Sequence, residues 1–229
     1  MKTGLKILVV GLAVVGLTNC ANAAATLTVY DGVNPLISIT DNGAGDLNPA
    51  IGELTISTNV GVWSVSVSSG LTKPAFGSST NPLMDLVVQA SSTAAGSLRY
   101  IFSDNNFGPA SGTLNATVSG HVISGPATTV DYSVYGDPGN GLGVLTTPLT
   151  TTGTIPLPVV TSNSGSLTLG APFSLTEVVQ LTASGADSLS VDASLSVIPE
   201  PSTAALTFLG LTFLVLGLSR HKRSPHGVN

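Results

Sequence analysis

Charge is scarce in this chain. Only 8% of its 229 residues are Asp, Glu, Lys or Arg, while 42% are hydrophobic; ordinary globular domains carry roughly 25% charged residues. The balance argues against a charge-rich disordered chain and against the composition of a typical cytosolic enzyme. Aromatic residues make up only 5%, and the one cysteine is Cys20. Cations are scarcest of all: Lys2 and Lys6 stand at the start and Arg220, Lys222 and Arg223 at the end, leaving Lys73 and Arg99 for everything between. All twelve acids except Glu200 fall in that middle stretch, and eleven acids against two bases give it a net charge near −9. A surface of that sign repels phosphate backbones, which excludes nucleic acid as a partner.

Much of the apolar content lies at the two ends. Residues 1–23 combine Lys2 and Lys6, an apolar run over 7–17, and the small residues Ala21 and Ala23 around Asn22. Signal peptidase requires small side chains at the first and third positions before the cut, so the pattern predicts a secretory signal cleaved after Ala23, with a cut after Ala25 as the near alternative. The run is short of the ~20 residues a membrane span needs, which weighs against an uncleaved anchor. Lipidation of Cys20 would want Gly or Ala where Asn19 stands. Once Cys20 leaves with the signal, no disulfide, thiol nucleophile or cysteine metal site is possible, even in a compartment that permits disulfides.

The other end reads Pro199-Glu200-Pro201, an uncharged stretch over 202–219, and the basic cluster Arg220, Lys222, Arg223, with a short tail over 224–229. As a helix, 202–219 would be about 27 Å long, close to the ~30 Å core of a bilayer. An ordinary single-span anchor after a proline-containing linker would show the same hydrophobicity. Basic residues stay on the cytoplasmic side, so the pattern puts both chain ends inside and the middle across the membrane. In this order, and paired with a signal peptide, the three parts resemble the PEP-CTERM sorting signal of exported proteins in Gram-negative bacteria that make extracellular polysaccharide. The resemblance implies transient anchoring in the inner membrane, then removal of the tail by an exosortase and release to the cell surface or extracellular matrix. The stretch 41–104 also looks like a central domain common among such proteins. Its matching segments are 41–49 (Asp-Asn-Gly-Ala-Gly-Asp-Leu-Asn-Pro), 81–86 (Asn-Pro-Leu-Met-Asp-Leu) and 102–104 (Phe-Ser-Asp). That resemblance implies a shared architecture and no activity.

The stretch 24–198 is long enough for one domain with a real core. Its end alternates strictly, with Leu189, Val191, Ala193, Leu195 and Val197 on one face and Ser188, Ser190, Asp192, Ser194 and Ser196 on the other. This predicts a strand with one face buried, running almost to Pro199. The same period sets Trp63, Val65 and Val67 against Val62, Ser64, Ser66 and Ser68, and Val130, Tyr132 and Val134 against Asp131, Ser133 and Tyr135. Further strand candidates are 27–30, 36–40, 53–58, 86–90, 97–103, 113–119 and 175–182. Asn, Asp and Gly clusters between them supply turn conformations. No helical period and no fixed repeat interrupts the series, so the prediction is all-β, a single antiparallel β-sandwich or jelly roll between a signal helix and a transmembrane helix. The proline- and threonine-rich stretch 146–158 reads as an edge segment or long surface loop.

Residues for chemistry are few. The middle holds one histidine, His121, and no Gly-x-Ser-x-Gly elbow around a nucleophile. The acids sit mostly in turns rather than in a pair flanked by aromatics, as a glycosidase would need. No enzyme is expected, and no zinc site can be built from one histidine and no cysteine. Calcium is the one metal worth weighing, because Asp41, Asp46 and Asp104 stand in loops rich in Asn. The spacing does not match an EF-hand, and plain turn chemistry accounts for the same residues. The expected role is therefore structural or adhesive within exopolysaccharide, with a carbohydrate-binding module as the alternative and a calcium-binding adhesion domain behind it. Of the aromatics, Trp63 reads as core and Phe107, in a Gly/Asn turn, as exposed.

Overall fold

Twelve strands follow one another along the chain, and among the described residues there is no helix; the computed structural model describes residues 25–34 and 36–199. The strands are β1 (Thr26–Tyr30), β2 (Ile37–Thr40), β3 (Glu53–Val60), β4 (Trp63–Leu71), β5 (Leu83–Ser92), β6 (Gly96–Phe107), β7 (Ala110–Ser124), β8 (Thr128–Asp137), β9 (Pro148–Pro156), β10 (Val159–Leu169), β11 (Phe173–Ala183) and β12 (Asp187–Pro199). They form two six-stranded antiparallel sheets, a first in the order β2-β1-β6-β11-β8-β9 and a second in the order β10-β7-β12-β5-β4-β3. Pairing of β5 with β12, β6 with β11, β7 with β10 and β8 with β9 is that of one long hairpin rolled over on itself, the jelly-roll arrangement. The remaining strands, β1 to β4, widen both sheets on the other flank.

The core lies between the sheets, where Tyr100, Phe102 and Tyr132 of the first meet Trp63, Met84 and Leu86 of the second, all fully buried. Strand β12 shows how the sequence does this. Leu189, Val191, Ala193, Leu195 and Val197 are buried as the alternation predicts, while Asp192 between them is exposed. The strand lies in the middle of its sheet, between β7 and β5, and its last residue, Pro199, is opposite Gly112. A Cβ on Gly112 would stand 2.1 Å from the Ile198 carbonyl oxygen, so this crossing requires glycine.

One expectation changes. In β4, Trp63 and Val65 are buried, but a bulge between Val65 and Val67 reverses the phase and turns Ser68 into the core. An extra residue in one strand sends every later side chain to the opposite face. The Val67 side chain lies outside the described residues. Of the two readings of 146–158, the structure selects the edge segment: it contains β9, an edge strand of the first sheet, and β10 follows it as an edge of the second. Strand β10 has only Leu167 fully buried, and β9 has no buried residue, so neither carries the alternation that marks a strand in sequence. The side-chain amide of Asn163 donates to the Thr151 carbonyl at 2.6 Å, tying the two edges together along one flank. The segments 1–23 and 200–223 lie outside the described residues, and among the described residues no helix is long and apolar enough to cross a membrane.

Candidate functional site

The acids singled out as calcium candidates all hold protein donors. The Gly52 N–H donates to Asp41 Oδ2 at 2.9 Å, and the Asn42 side-chain amide to its Oδ1 at 2.9 Å. Asp46 Oδ1 accepts from the N–H groups of Asn48 (3.0 Å) and Thr55 (2.9 Å), and its Oδ2 from that of Asn42 (3.0 Å). These carboxylates fasten the loop after β2 along the edge of β3. Burial, followed by repulsion from Asp46 and Asp104, raises the Asp41 pKa against the pull of the Gly52 and Asn42 hydrogen bonds. Asp104, fully buried, accepts from the Thr72 hydroxyl at 2.6 Å and from the Lys73 ammonium at 2.7 Å. Lys73 also donates to the Asn105 carbonyl and stands 4.0 Å above the Phe107 ring. Burial lowers its pKa, and Asp104 opposes that shift. A built-in ammonium thus supplies positive charge beside Asp104.

This cluster corrects the expectation for Phe107, which is 1% exposed. Its ring lies under the Lys73 ammonium and 5.6 Å from the Phe173 ring. The Gly/Asn turn signal was local, whereas Lys73 and Phe173 arrive from distant parts of the chain. His121 is exposed on the outer face of the second sheet, bordering an open hollow of about 540 Å³ with Ser119, Ser190, Asp192 and the apolar Val159 and Val160. Pro199 closes β12, while Ala21, Ala23, Glu200, Pro201, Arg220, Lys222 and Arg223 lie outside the described residues.

A polar hollow lies on the outer face of the first sheet, a groove of about 350 Å³ across β6, β11, β8 and β9. The strand register lines up its central row: Arg99 opposite Gln180, Gln180 opposite Asp131, and Asp131 opposite Thr154, with Tyr30 of β1 opposite Arg99 outside the lining. Adjacent members stand one strand apart, about 4.8 Å. Thr129, Thr182, Ser133, Thr151, Tyr135 and the apolar Val178 complete the lining. On β9 an irregular register between Asp131 and Ser133 puts Thr154 and Thr151 opposite them, with Gly153 between at φ +66°. Thr151 and Thr154 are therefore both exposed on an edge strand that would otherwise alternate. The groove combines a guanidinium, an amide, a carboxylate, hydroxyls and a phenol on a rigid pleated floor. Donors and acceptors in that mixture suit a polyhydroxylated ligand.

Sequence reasoning identified parts of this face without assembling it. The alternation puts Asp131, Ser133 and Tyr135 on the polar side of β8 and the composition marks Arg99 as one of two central cations, but only the register brings Gln180 and Thr154 beside them. Behind the groove, Glu177 points into the core, fully buried. Its Oε1 accepts from the Tyr132 hydroxyl at 2.5 Å and its Oε2 has no partner.

No protein-family model matches the chain, and no curated protein matches it in sequence. Among solved structures, a carbohydrate-binding module crystallised with β-1,4-galactotriose aligns at 10% identity and a TM-score of 0.33, over 60% of this chain and 88% of that one. An adhesin domain of Lys-gingipain from Porphyromonas gingivalis aligns at 14% and 0.32, over 65% and 99%. The family 22 carbohydrate-binding module of Clostridium thermocellum Xyn10B aligns at 13% and 0.30, over 62% and 88%. At these scores the alignments say nothing of what this chain binds.

Proposed function

We propose that the chain is an exported, non-catalytic polysaccharide-binding domain of the cell surface or extracellular matrix, and that it holds sugar in the groove on its first sheet. The observation that carries this reading is the row Arg99, Gln180, Asp131 and Thr154, laid across four neighbouring strands. Sugar hydroxyls donate and accept together, so they are held best by planar groups of both kinds at fixed spacing. Strands fix these side chains before any ligand arrives, which reduces the ordering cost of binding. Affinity electrophoresis of the full chain, solubilised in detergent, through gels containing neutral or acidic polysaccharides tests the reading. At least one polymer should retard the wild type, and Gln180→Ala and Asp131→Ala should each weaken that retardation. Unchanged migration of the wild type in every polymer would overturn it.

The sorting tail belongs to the same proposal. An exosortase removes it after signal peptidase has removed residues 1–23. The order of motif, apolar stretch and basic cluster supports this, as does a final strand that ends at Pro199, the first residue of the motif. Mass spectrometry of the extracellular protein should find a C-terminus near residues 199–201. Recovery of Arg220, Lys222 and Arg223 in that protein would refute the processing step.

A further inference from the structure

We infer that Arg99 makes this groove selective for an acidic heteropolysaccharide, one in which sugars bearing a carboxylate are separated by neutral ones; the inference rests on the polysaccharide reading. The stretch 24–198 holds two cations, and Lys73 is consumed by Asp104, the Asn105 carbonyl and the Phe107 ring. Arg99 differs. Among the described residues the only ion pair is Lys73–Asp104, and Arg99 Nε is buried without a hydrogen-bond partner. The acid in its row, Asp131, stands two strands away beyond Gln180, about 10 Å by sheet spacing. An unpaired guanidinium fork in a polar groove matches a carboxylate, which it can hold through two parallel N–H bonds.

The rest of the groove limits the charge density of the occupant. Asp131 accepts hydroxyls but repels a second carboxylate placed against it, and eleven acids against two bases in 24–198 repel any dense polyanion. A polymer with an acid on every residue would set one against Asp131 as well as one on Arg99. A polymer with spaced acids can set one on Arg99 and present neutral hydroxyls to Gln180, Asp131 and the threonines.

Binding of the full chain in detergent to gellan, which has one uronic acid per repeat, to carboxyl-reduced gellan, and to polygalacturonate separates these alternatives. Gellan should bind about tenfold more tightly than its reduced form, and more tightly than polygalacturonate. The preference for gellan over its reduced form should shrink as salt is raised and vanish in Arg99→Gln, while Arg99→Lys keeps part of it. Equal wild-type affinity for gellan and reduced gellan overturns the role of Arg99 and leaves the polysaccharide reading standing. Tightest binding to polygalacturonate overturns the spacing. Failure to bind any polysaccharide overturns the polysaccharide reading, and this inference with it.

Discussion

A carboxyl group between two apolar sheets is cheapest to hold with its proton on. Burial pushes the Glu177 pKa well above its ordinary value, and the negative fields of Asp85 and Asp192 push the same way against the Tyr132 hydrogen bond. Its contribution to stability is therefore fully present below the unfolded carboxyl pKa, about 4.3, and is lost as pH rises toward the folded value. Above that point wild type should lose up to about 1.4 kcal/mol per pH unit relative to Glu177→Gln, for as long as the folded group keeps its proton. Denaturant unfolding of both proteins across pH 4 to 8 measures the divergence. Parallel curves would show that Glu177 is ionised in the fold. Tyr132 shares the outcome, since its hydroxyl donates the one hydrogen bond the buried group receives.

Among the elements, β12 provides the sharpest test of packing. Val191 is fully buried between the sheets, whereas its neighbour Ser190 faces the outer side of the second sheet. Val191→Asp should cost about 4 kcal/mol or more, since an unpaired charge would enter the core, and Ser190→Asp less than about 1 kcal/mol. Thermal melts of the two variants should differ widely, and equal melts would mean that β12 is not packed as described. This strand was legible in the sequence because it is central and one-sided, so each second residue meets the core. Strand β9 was legible only as an edge segment or loop and β10 not at all, because edge strands with water on much of both faces have no hydrophobic alternation to display. The phase change in β4 was hidden for a different reason. A bulge leaves the residue order Ser66, Val67, Ser68 looking regular while the backbone has gained a residue. The groove was half legible: β8 announced its polar face, but its neighbours come from strands distant in sequence, and only pairing sets them side by side.

At the scale of the molecule, the excess of acid should govern the response to pH. Asp85 is raised to about 6 by burial and by its neighbour Asp192. The stability attached to its protonated form is complete below the unfolded pKa of about 3.9 and is lost as pH rises through about 6. Self-repulsion among the carboxylates grows as pH rises and so acts in the same direction. The melting temperature should therefore be higher near pH 5 than near pH 7.5, and Asp85→Asn should raise it at the upper pH by the equivalent of about 1 kcal/mol after solvent screening. A wild-type melting temperature that falls steadily from pH 7.5 to pH 5 would contradict this account.

The position of β12 also bears on how the protein is made. The last strand in the sequence fills the middle of its sheet, so β5 and β7 both present open edges until it arrives. Synthesis runs from the N-terminus, and every residue up to Asp187 is already out before the gap can begin to close. During that interval two unpaired strand edges can recruit a second chain. A protein cut short before Asp187 would keep those edges permanently, and its fate would be aggregation rather than a slightly smaller sandwich.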